Sequence, residues 1–183
     1  MFIQTEQTPN PSTIKFIPGC EVMIRGTAEF ADTASAINSP LARRLFTIKG
    51  VTKVFLGRDF IAVTKADDTD WQAVKAFVLG SIMDHFTAGL PVIENEETLA
   101  GSANENDSAA VKQIKELLEN HIRPAVAQDG GDVVFHDFAD GIVYLQMRGA
   151  CSGCPSSSMT LKMGIERLLK HYMPEIKEVR AAA

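Results

Sequence analysis

Two cysteines three positions apart are the residues best suited to chemistry in this chain. Cys151 and Cys154 enclose Ser152 and Gly153, and this spacing lets both sulfurs bind one metal centre, as in zinc and iron–sulfur sites. Thiol–disulfide oxidoreductases use the same spacing for redox exchange. The pair therefore predicts either metal binding or disulfide chemistry.

The predicted elements around the pair favour an anionic sulfur. A predicted strand precedes Cys151, and a predicted helix begins at Pro155, which suits the first helical position and puts Cys154 at or beside the N-cap. Free backbone N–H groups and the helix dipole stabilise a thiolate there. At least one sulfur is therefore expected to be a better nucleophile and ligand than a free cysteine. Gly149 and Gly153 leave room for the backbone to wrap a bulky cofactor.

The number of ligands predicts a second chain. A 4Fe–4S cluster or a structural zinc normally takes four protein ligands. The C-terminal region supplies two cysteines, and its histidines, His121, His136 and His171, lie on separate predicted elements. The simplest completion is two cysteines from each of two chains, with the cluster on a two-fold axis. Such a half-open site suits a carrier better than a permanent electron-transfer centre.

Two alternatives stay open at this point. A thiol–disulfide oxidoreductase would use the same pair, but 29 residues follow Cys154, and a thioredoxin-like domain needs further strands after its active-site helix, one of them bearing a cis-proline. A structural zinc module that joins two chains would satisfy the same ligand count.

Composition excludes other classes of function. The formal net charge is −5, with no long run of Lys or Arg, so the clustered cations needed for nucleic-acid binding are missing. No apolar run reaches the roughly 20 residues that span a membrane. The N-terminal residues predict neither a secretory signal nor a transit peptide. We expect an intracellular protein, or the processed form of an organellar one.

Residues 94–108 are acidic, rich in amides and nearly without apolar side chains, which predicts a flexible linker. The predicted fold is α+β: two small domains, 1–93 and 109–183, each an antiparallel sheet packed by helices. The expected N-terminal elements are strands at 12–17, 20–25, 51–56 and 60–65, and helices capped by Ser39 and Asp70. The second of these helices should bury Trp71, Val74, Phe77, Val78, Ile82 and Phe86.

In the C-terminal domain, Ser108 is predicted to cap a helix, Pro124 to kink it or begin another, and Asp129-Gly130-Gly131 to end it. The other expected elements are strands at 132–138, 142–148 and 176–180, a hairpin turn at 139–141 and a helix at 155–171. Several further side chains with reactive or soft groups are expected to be structural or silent: Cys20, Asp129, Asp132 and at least one of Met147, Met159 and Met163.

Two sets of motifs resemble a known family. One set comprises Arg123-Pro124, Gln128-Asp129-Gly130-Gly131-Asp132, Asp140-Gly141 and Gly149-Ala150-Cys151-Ser152-Gly153-Cys154-Pro155. It closely resembles the C-terminal domain of NifU, the Nfu-type iron–sulfur scaffold domain. The other set is similar to the N-terminal domain of Nfu proteins: Met1-Phe2-Ile3-Gln4-Thr5, Thr8-Pro9-Asn10-Pro11, Lys15-Phe16-Ile17-Pro18-Gly19, Ser39-Pro40-Leu41-Ala42 and Asp59-Phe60-Ile61-Ala62-Val63-Thr64-Lys65.

This resemblance implies a scaffold or carrier without enzymatic turnover. Its ligands would be Cys151 and Cys154, holding a 4Fe–4S cluster between two subunits, with a 2Fe–2S form under some conditions. The cluster would come from upstream assembly proteins and pass to apo-proteins such as lipoate synthase or aconitase-type enzymes. The location expected is the bacterial cytoplasm, or the mitochondrial matrix for a processed organellar form.

Overall fold

The computed structural model describes residues 2–94, 107–152 and 155–182, with the helical backbone alone at 155–158. It divides into two compact units, Met1–Gly101 and Ser102–Ala183, each with its own hydrophobic core. The predicted class, α+β with two sheet-and-helix units, is confirmed. Most of the predicted linker lies outside the described residues, so the domain bounds 1–93 and 109–183 remain a prediction.

The N-terminal unit is a five-stranded antiparallel sheet with two helices. Its elements are β1 (Gln4–Gln7), β2 (Thr13–Ile17), β3 (Ala28–Phe30), α1 (Pro40–Phe46), β4 (Val51–Leu56), β5 (Ile61–Lys65) and α2 (Trp71–Thr87). The strand order is β1-β2-β5-β4-β3, and every neighbouring pair is antiparallel. The predicted hairpin at 51–65 and both predicted caps are confirmed, since Ser39 accepts from the Ala42 N–H and Asp70 from the Gln72 N–H.

The strand predicted at 20–25 is wrong. Gly19 and Gly26 both have positive φ, and the backbone N–H groups of Val22 and Met23 donate to the Arg58 carbonyl instead of pairing in the sheet. These contacts place Val22 and Met23 in the core, which explains the apolar residues in that stretch. The neighbours of β2 are β1 and β5.

One face of α2 also differs from the prediction. Val74, Val78, Ile82 and His85 are buried, whereas Phe77 is 67% exposed. These four buried residues recur at the helical period and fix which side of α2 faces the sheet, and this orientation turns Phe77 outward. Trp71 and Phe86 are partly buried against the core, as predicted.

The C-terminal unit contains α3 (Ala109–Leu117), a π-helical turn (Leu118–Ile122), α4 (Arg123–Gln128), β6 (Gly131–Ala139), β7 (Ile142–Gly149), α5 (Pro155–Tyr172) and β8 (Glu178–Ala181). Ser108 caps α3, as predicted. Asp140 and Gly141 form the hairpin turn with φ of 54° and 81°, which is the conformation that an Asp-Gly pair favours.

The third strand corrects the prediction of a purely antiparallel sheet. The order is β6-β7-β8; β6 and β7 are antiparallel, but β8 runs parallel to β7. The reason is α5, which carries the chain back along the length of β7, so that β8 starts at the same end. In the part of the chain that the structure describes, no helix is both long enough and apolar enough to cross a membrane.

Candidate metal centre

The loop that carries Cys151 is fixed by the first and last residues of the β6–β7 hairpin. Gly131 opens β6 and lies opposite Gly149, which closes β7. Gly149 has a φ of 68°, a conformation that suits glycine. The Ala150 N–H donates to the Gly130 carbonyl at 3.1 Å, and the Ser152 N–H donates to the Gly149 carbonyl at 3.1 Å. Cys151 therefore sits on backbone that is bonded on both sides.

Cys151 points into the C-terminal unit. Its exposed fraction is 7%, and it belongs to the hydrophobic core. A Cβ on Gly131 would lie 2.5 Å from the Cys151 Sγ and 2.8 Å from the Arg148 carbonyl oxygen. The Cys151 sulfur therefore packs directly against the backbone of Gly131, which is possible because residue 131 has no side chain.

The surroundings keep the Cys151 thiol protonated. Burial raises its pKa to about 12, and the negative charges of Asp129 and Asp132 act in the same direction. The expectation that at least one sulfur of the pair is activated is therefore not met by Cys151. For Cys154, which lies outside the described residues directly before α5, that expectation remains a prediction.

An ion pair between the partly buried Arg123 and the buried Asp132 lies beside the loop. The Arg123 guanidinium donates to Asp132 through Nε at 2.8 Å and Nη2 at 2.9 Å, and Asp132 also accepts from the Val133 N–H at 2.8 Å. Burial lowers the pKa of Arg123. The hydrogen bonds and the negative charges of Asp132 and, to a smaller extent, of Glu119 outweigh burial, and the pKa of Arg123 lies above its usual range.

This pair joins the start of α4 to the start of β6. The sequence predicted Asp132 as a turn and cap residue and did not predict its partner. The sequence did hold a signal for this ion pair. Arg123 and Asp132 both belong to the C-terminal motif set, and a carboxylate that is buried among apolar residues needs a cation.

Other candidate ligands lie elsewhere. His121, His136 and His171 are exposed. His121 stacks on Tyr172 with ring centroids 5.7 Å apart, and His171 meets the same ring edge-on at 5.2 Å. Within the ranges 2–94, 107–152 and 155–182, no group of three or more His, Cys, Asp or Glu side chains could hold a metal ion. The cysteine pair therefore remains the candidate centre.

Two methionines near the pair are on the surface. Met159 and Met163 are 67% and 63% exposed, whereas Met147 is partly buried against the core. The expectation that at least one of the three is a core residue is met by Met147. Cys20, in the other unit, is exposed.

Comparison with known proteins covers both units. Residues 3–89 match the family model described as the Nfu/NifU scaffold protein N-terminal domain, and residues 114–180 match the NifU-like domain. The chain belongs to the Nfu/NifU family. The resemblance carried by the two motif sets is thereby confirmed, with both domains in the predicted order.

Relatives that align over 98% of this chain support the same assignment. It is 51% identical over 181 residues to the human NFU1 iron-sulfur cluster scaffold homolog, mitochondrial, covering 98% of this chain and 71% of the relative. It is 50% identical over 184 residues to each of two Arabidopsis thaliana proteins, NifU-like protein 4 and NifU-like protein 5, both named mitochondrial, covering 98% of this chain. The chain spans 65% and 67% of the length of those two relatives.

Proposed function

We propose that this Nfu/NifU chain is an iron–sulfur cluster scaffold that holds a 4Fe–4S cluster between two copies through Cys151 and Cys154 and passes it to apo-proteins. The observation that carries the proposal is the fixed loop, which holds Cys151 against Gly131 three positions before the second cysteine, with α5 following. The printed name of the human relative, an iron-sulfur cluster scaffold homolog, supports it.

The donor set fits this cargo. Thiolates are the usual protein ligands of iron–sulfur clusters, and the chain offers two cysteines at a spacing that lets both bind one metal centre. Burial raises the pKa of Cys151, so binding of this sulfur as a thiolate must release a proton, as is general for thiol ligands. Two sulfurs per chain leave the coordination incomplete, and a second copy supplies the other two.

Transfer then needs no substrate turnover. A client thiolate displaces one scaffold sulfur from iron, and the remaining ligands follow as the two copies separate. The proposed partners are an identical chain, upstream assembly proteins, and apo-proteins such as lipoate synthase or aconitase-type enzymes. The protein is therefore proposed to be a carrier and not an enzyme.

The fold of the C-terminal unit weighs against the disulfide alternative. The strands before the cysteine pair form the antiparallel β6–β7 hairpin, and β8 is the one strand that the structure describes after α5, whereas a thioredoxin-like domain needs further strands there. For location, the relatives named above are mitochondrial by name and favour the mitochondrial matrix. The bacterial cytoplasm has no support among them.

The decisive experiment is anaerobic loading with ferrous iron and sulfide. We expect an absorption near ~400 nm and about four irons per two chains, by ligand count, with a mass by sizing of two chains. Mössbauer spectroscopy distinguishes the 4Fe–4S form from the 2Fe–2S form.

Matched cysteine variants give the control. Cys151→Ser and Cys154→Ser should lose the colour and the iron, whereas Cys20→Ser should keep both. Full loading of a single chain, or of the double variant Cys151→Ser/Cys154→Ser, would contradict the proposal. Turnover of glutathione and protein disulfides by the metal-free chain would favour the oxidoreductase, and zinc that iron and sulfide cannot replace would favour the structural module.

A further inference from the structure

The segment that follows α2 is held against the residues just before α1. We refer to this segment, residues 89–94, as the strap. The Ser39 hydroxyl, which also caps α1, donates to the Val92 carbonyl at 2.7 Å. The Glu94 N–H donates to the Asn38 carbonyl at 2.7 Å. These hydrogen bonds tie the strap to the start of α1.

The strap has the features of a segment that opens locally. Ile93 is buried and Val92 is partly buried against the core, whereas Gly89, Leu90 and Pro91 are exposed. Gly89 begins the strap with a φ of 64°, and Pro91 has no N–H to donate. Segments with few buried apolar contacts open at a lower free energy than the core of a unit.

A buried histidine lies next to the strap. His85 in α2 is 1% exposed, and neither ring nitrogen has a hydrogen-bond partner of good geometry among the described residues. Its backbone carbonyl accepts from the Leu90 N–H at 3.4 Å, and the carbonyls of Leu90 and Pro91 lie close enough to act on the ring. The Phe86 ring meets the imidazole edge-on at 5.8 Å. A positive charge on this imidazole would be separated from water, which is costly.

The charged groups around His85 do not compensate such a charge. On α1, Arg44 opposes it. The neighbouring Arg43 is 3.6 Å from Glu94 of the strap, and both of these side chains are about half exposed. On α2, Asp84 is exposed, and no carboxylate of the described residues raises the pKa of His85. Hydration is therefore the remaining way to stabilise the protonated ring.

We propose that the strap opens in acid: when a proton binds His85, residues 89–94 leave the start of α1 and the imidazole is hydrated. The open form binds the proton more tightly than the closed form, so acid shifts the equilibrium towards the open form. Opening adds the six residues of the strap to the connection between the two units, and a longer connection has a longer reach. The strap belongs to the N-terminal unit and its opening needs no cluster, so its test is independent of the proposed function.

The test is hydrogen exchange of the full chain, read by mass spectrometry at about pH 7.5 and about pH 5 and corrected for the intrinsic exchange rate. The Leu90 and Glu94 N–H groups report the closed strap, because both are hydrogen-bonded in it. Repeating the exchange in low urea separates local opening, which urea hardly affects, from unfolding of the whole unit. The variants are His85→Leu and His85→Gln, which do not titrate at this position, and the matched control is His171→Leu in the C-terminal unit.

In the wild-type chain, protection of the strap should fall by at least about fivefold between the two pH values, because the ordinary pKa of histidine, 6.5, lies between them. His171→Leu should show the same fall, whereas His85→Leu and His85→Gln should lose it. Exchange of the strap should be faster than exchange of β4 and β5 at both pH values and should not change in low urea.

Equal protection of the strap at both pH values in the wild-type chain would overturn the proposal, as would a fall that persists in the His85 variants. Strap exchange that follows β4 and β5 in rate and in urea dependence would also overturn it, because acid would then act by unfolding the whole unit. Circular dichroism shows whether each His85 variant is folded. One folded variant is enough for the comparison, and the urea series on the wild-type chain decides if neither variant folds.

Discussion

Gly131 matters because of what lies next to it. Because it has no side chain, the Cys151 sulfur and the Arg148 carbonyl oxygen can pack closely against its backbone. The chain passes through this point as a β-strand, so the requirement for glycine comes from close packing. A residue that the sequence marks merely as part of a turn motif thus controls the position of a proposed ligand.

We expect Gly131→Ala to displace Cys151 and to destabilise the C-terminal unit by about 1–3 kcal/mol, the usual range for overpacking. Thermal unfolding and iron loading should both be impaired. Gly80→Ala is the control, since a Cβ on Gly80 in α2 would meet nothing within 4 Å, and it should stabilise α2 by about 0.5–1 kcal/mol. Normal loading of Gly131→Ala would contradict this role.

Substitution of the two acidic partners of Arg123, Asp132 and Glu119, should lower the free energy of unfolding by unequal amounts. The Asp132 side chain is 4% exposed and the Glu119 side chain is 63% exposed. Asp132→Ala should cost about 2–4 kcal/mol, because it leaves a partly buried guanidinium without its main partner. Glu119→Ala should change the free energy of unfolding by about 0.5 kcal/mol or less, as for exposed pairs. Urea unfolding measures both, and equal losses would contradict the prediction.

At the scale of elements, α2 shows how a helix can bury a polar residue and expose an aromatic one. His85 is 1% exposed while Phe77 is largely outside. Neither ring nitrogen of His85 has a hydrogen-bond partner of good geometry among the described residues. Burial opposes the charged form of His85. The backbone carbonyls of Pro91 and Leu90 favour that form, but their effect is smaller than the effect of burial.

His85 predicts loss of stability in acid. Burial, with a smaller contribution from Arg44, lowers the pKa of His85 in the fold below its ordinary value of 6.5. As the pH is lowered, His85 of the unfolded chain is therefore protonated before His85 of the folded chain. The free energy of unfolding is highest above pH 6.5 and falls as the pH drops from 6.5 towards the pKa of the folded state. Urea midpoints of the N-terminal unit should decline over this window. His85→Leu should flatten the decline, and His171→Leu in the other unit should not.

At the scale of the whole molecule, the two hydrophobic cores share no residues. We therefore expect the C-terminal unit, expressed as residues 107–183, to fold alone and to load the same iron per chain as the full protein. Circular dichroism and iron analysis test this. A fragment that unfolds, or that loads less iron, would show that the units depend on one another.

The N-terminal unit is then expected to act on transfer. Tethering a second unit to the cluster-binding unit raises its local concentration near a client. Removal of residues 1–95 should slow transfer to at least one acceptor without changing iron content. Unchanged transfer rates for every acceptor tested would leave the unit without this role.

Local signals in the sequence determined much of this protein. The caps at Ser39, Asp70 and Ser108, the Asp140-Gly141 turn and the start of α5 at Pro155 each depend on residues close in the chain. The same holds for the spacing of Cys151 and Cys154 and hence for the choice of thiol chemistry. Family membership followed from the motifs around them.

Contacts between distant residues decided the rest. The direction of β8, the outward position of Phe77, the burial of His85 and the pairing of Arg123 with Asp132 depend on which surfaces meet in the fold. Cys151 illustrates the physical reason most directly. The sequence predicts that at least one sulfur of the pair is a stabilised thiolate, but the fold buries Cys151 away from water and places the carboxylates of Asp129 and Asp132 near it, which raises the pKa of Cys151. The free energy of a charge depends on that environment, which the order of residues alone does not specify.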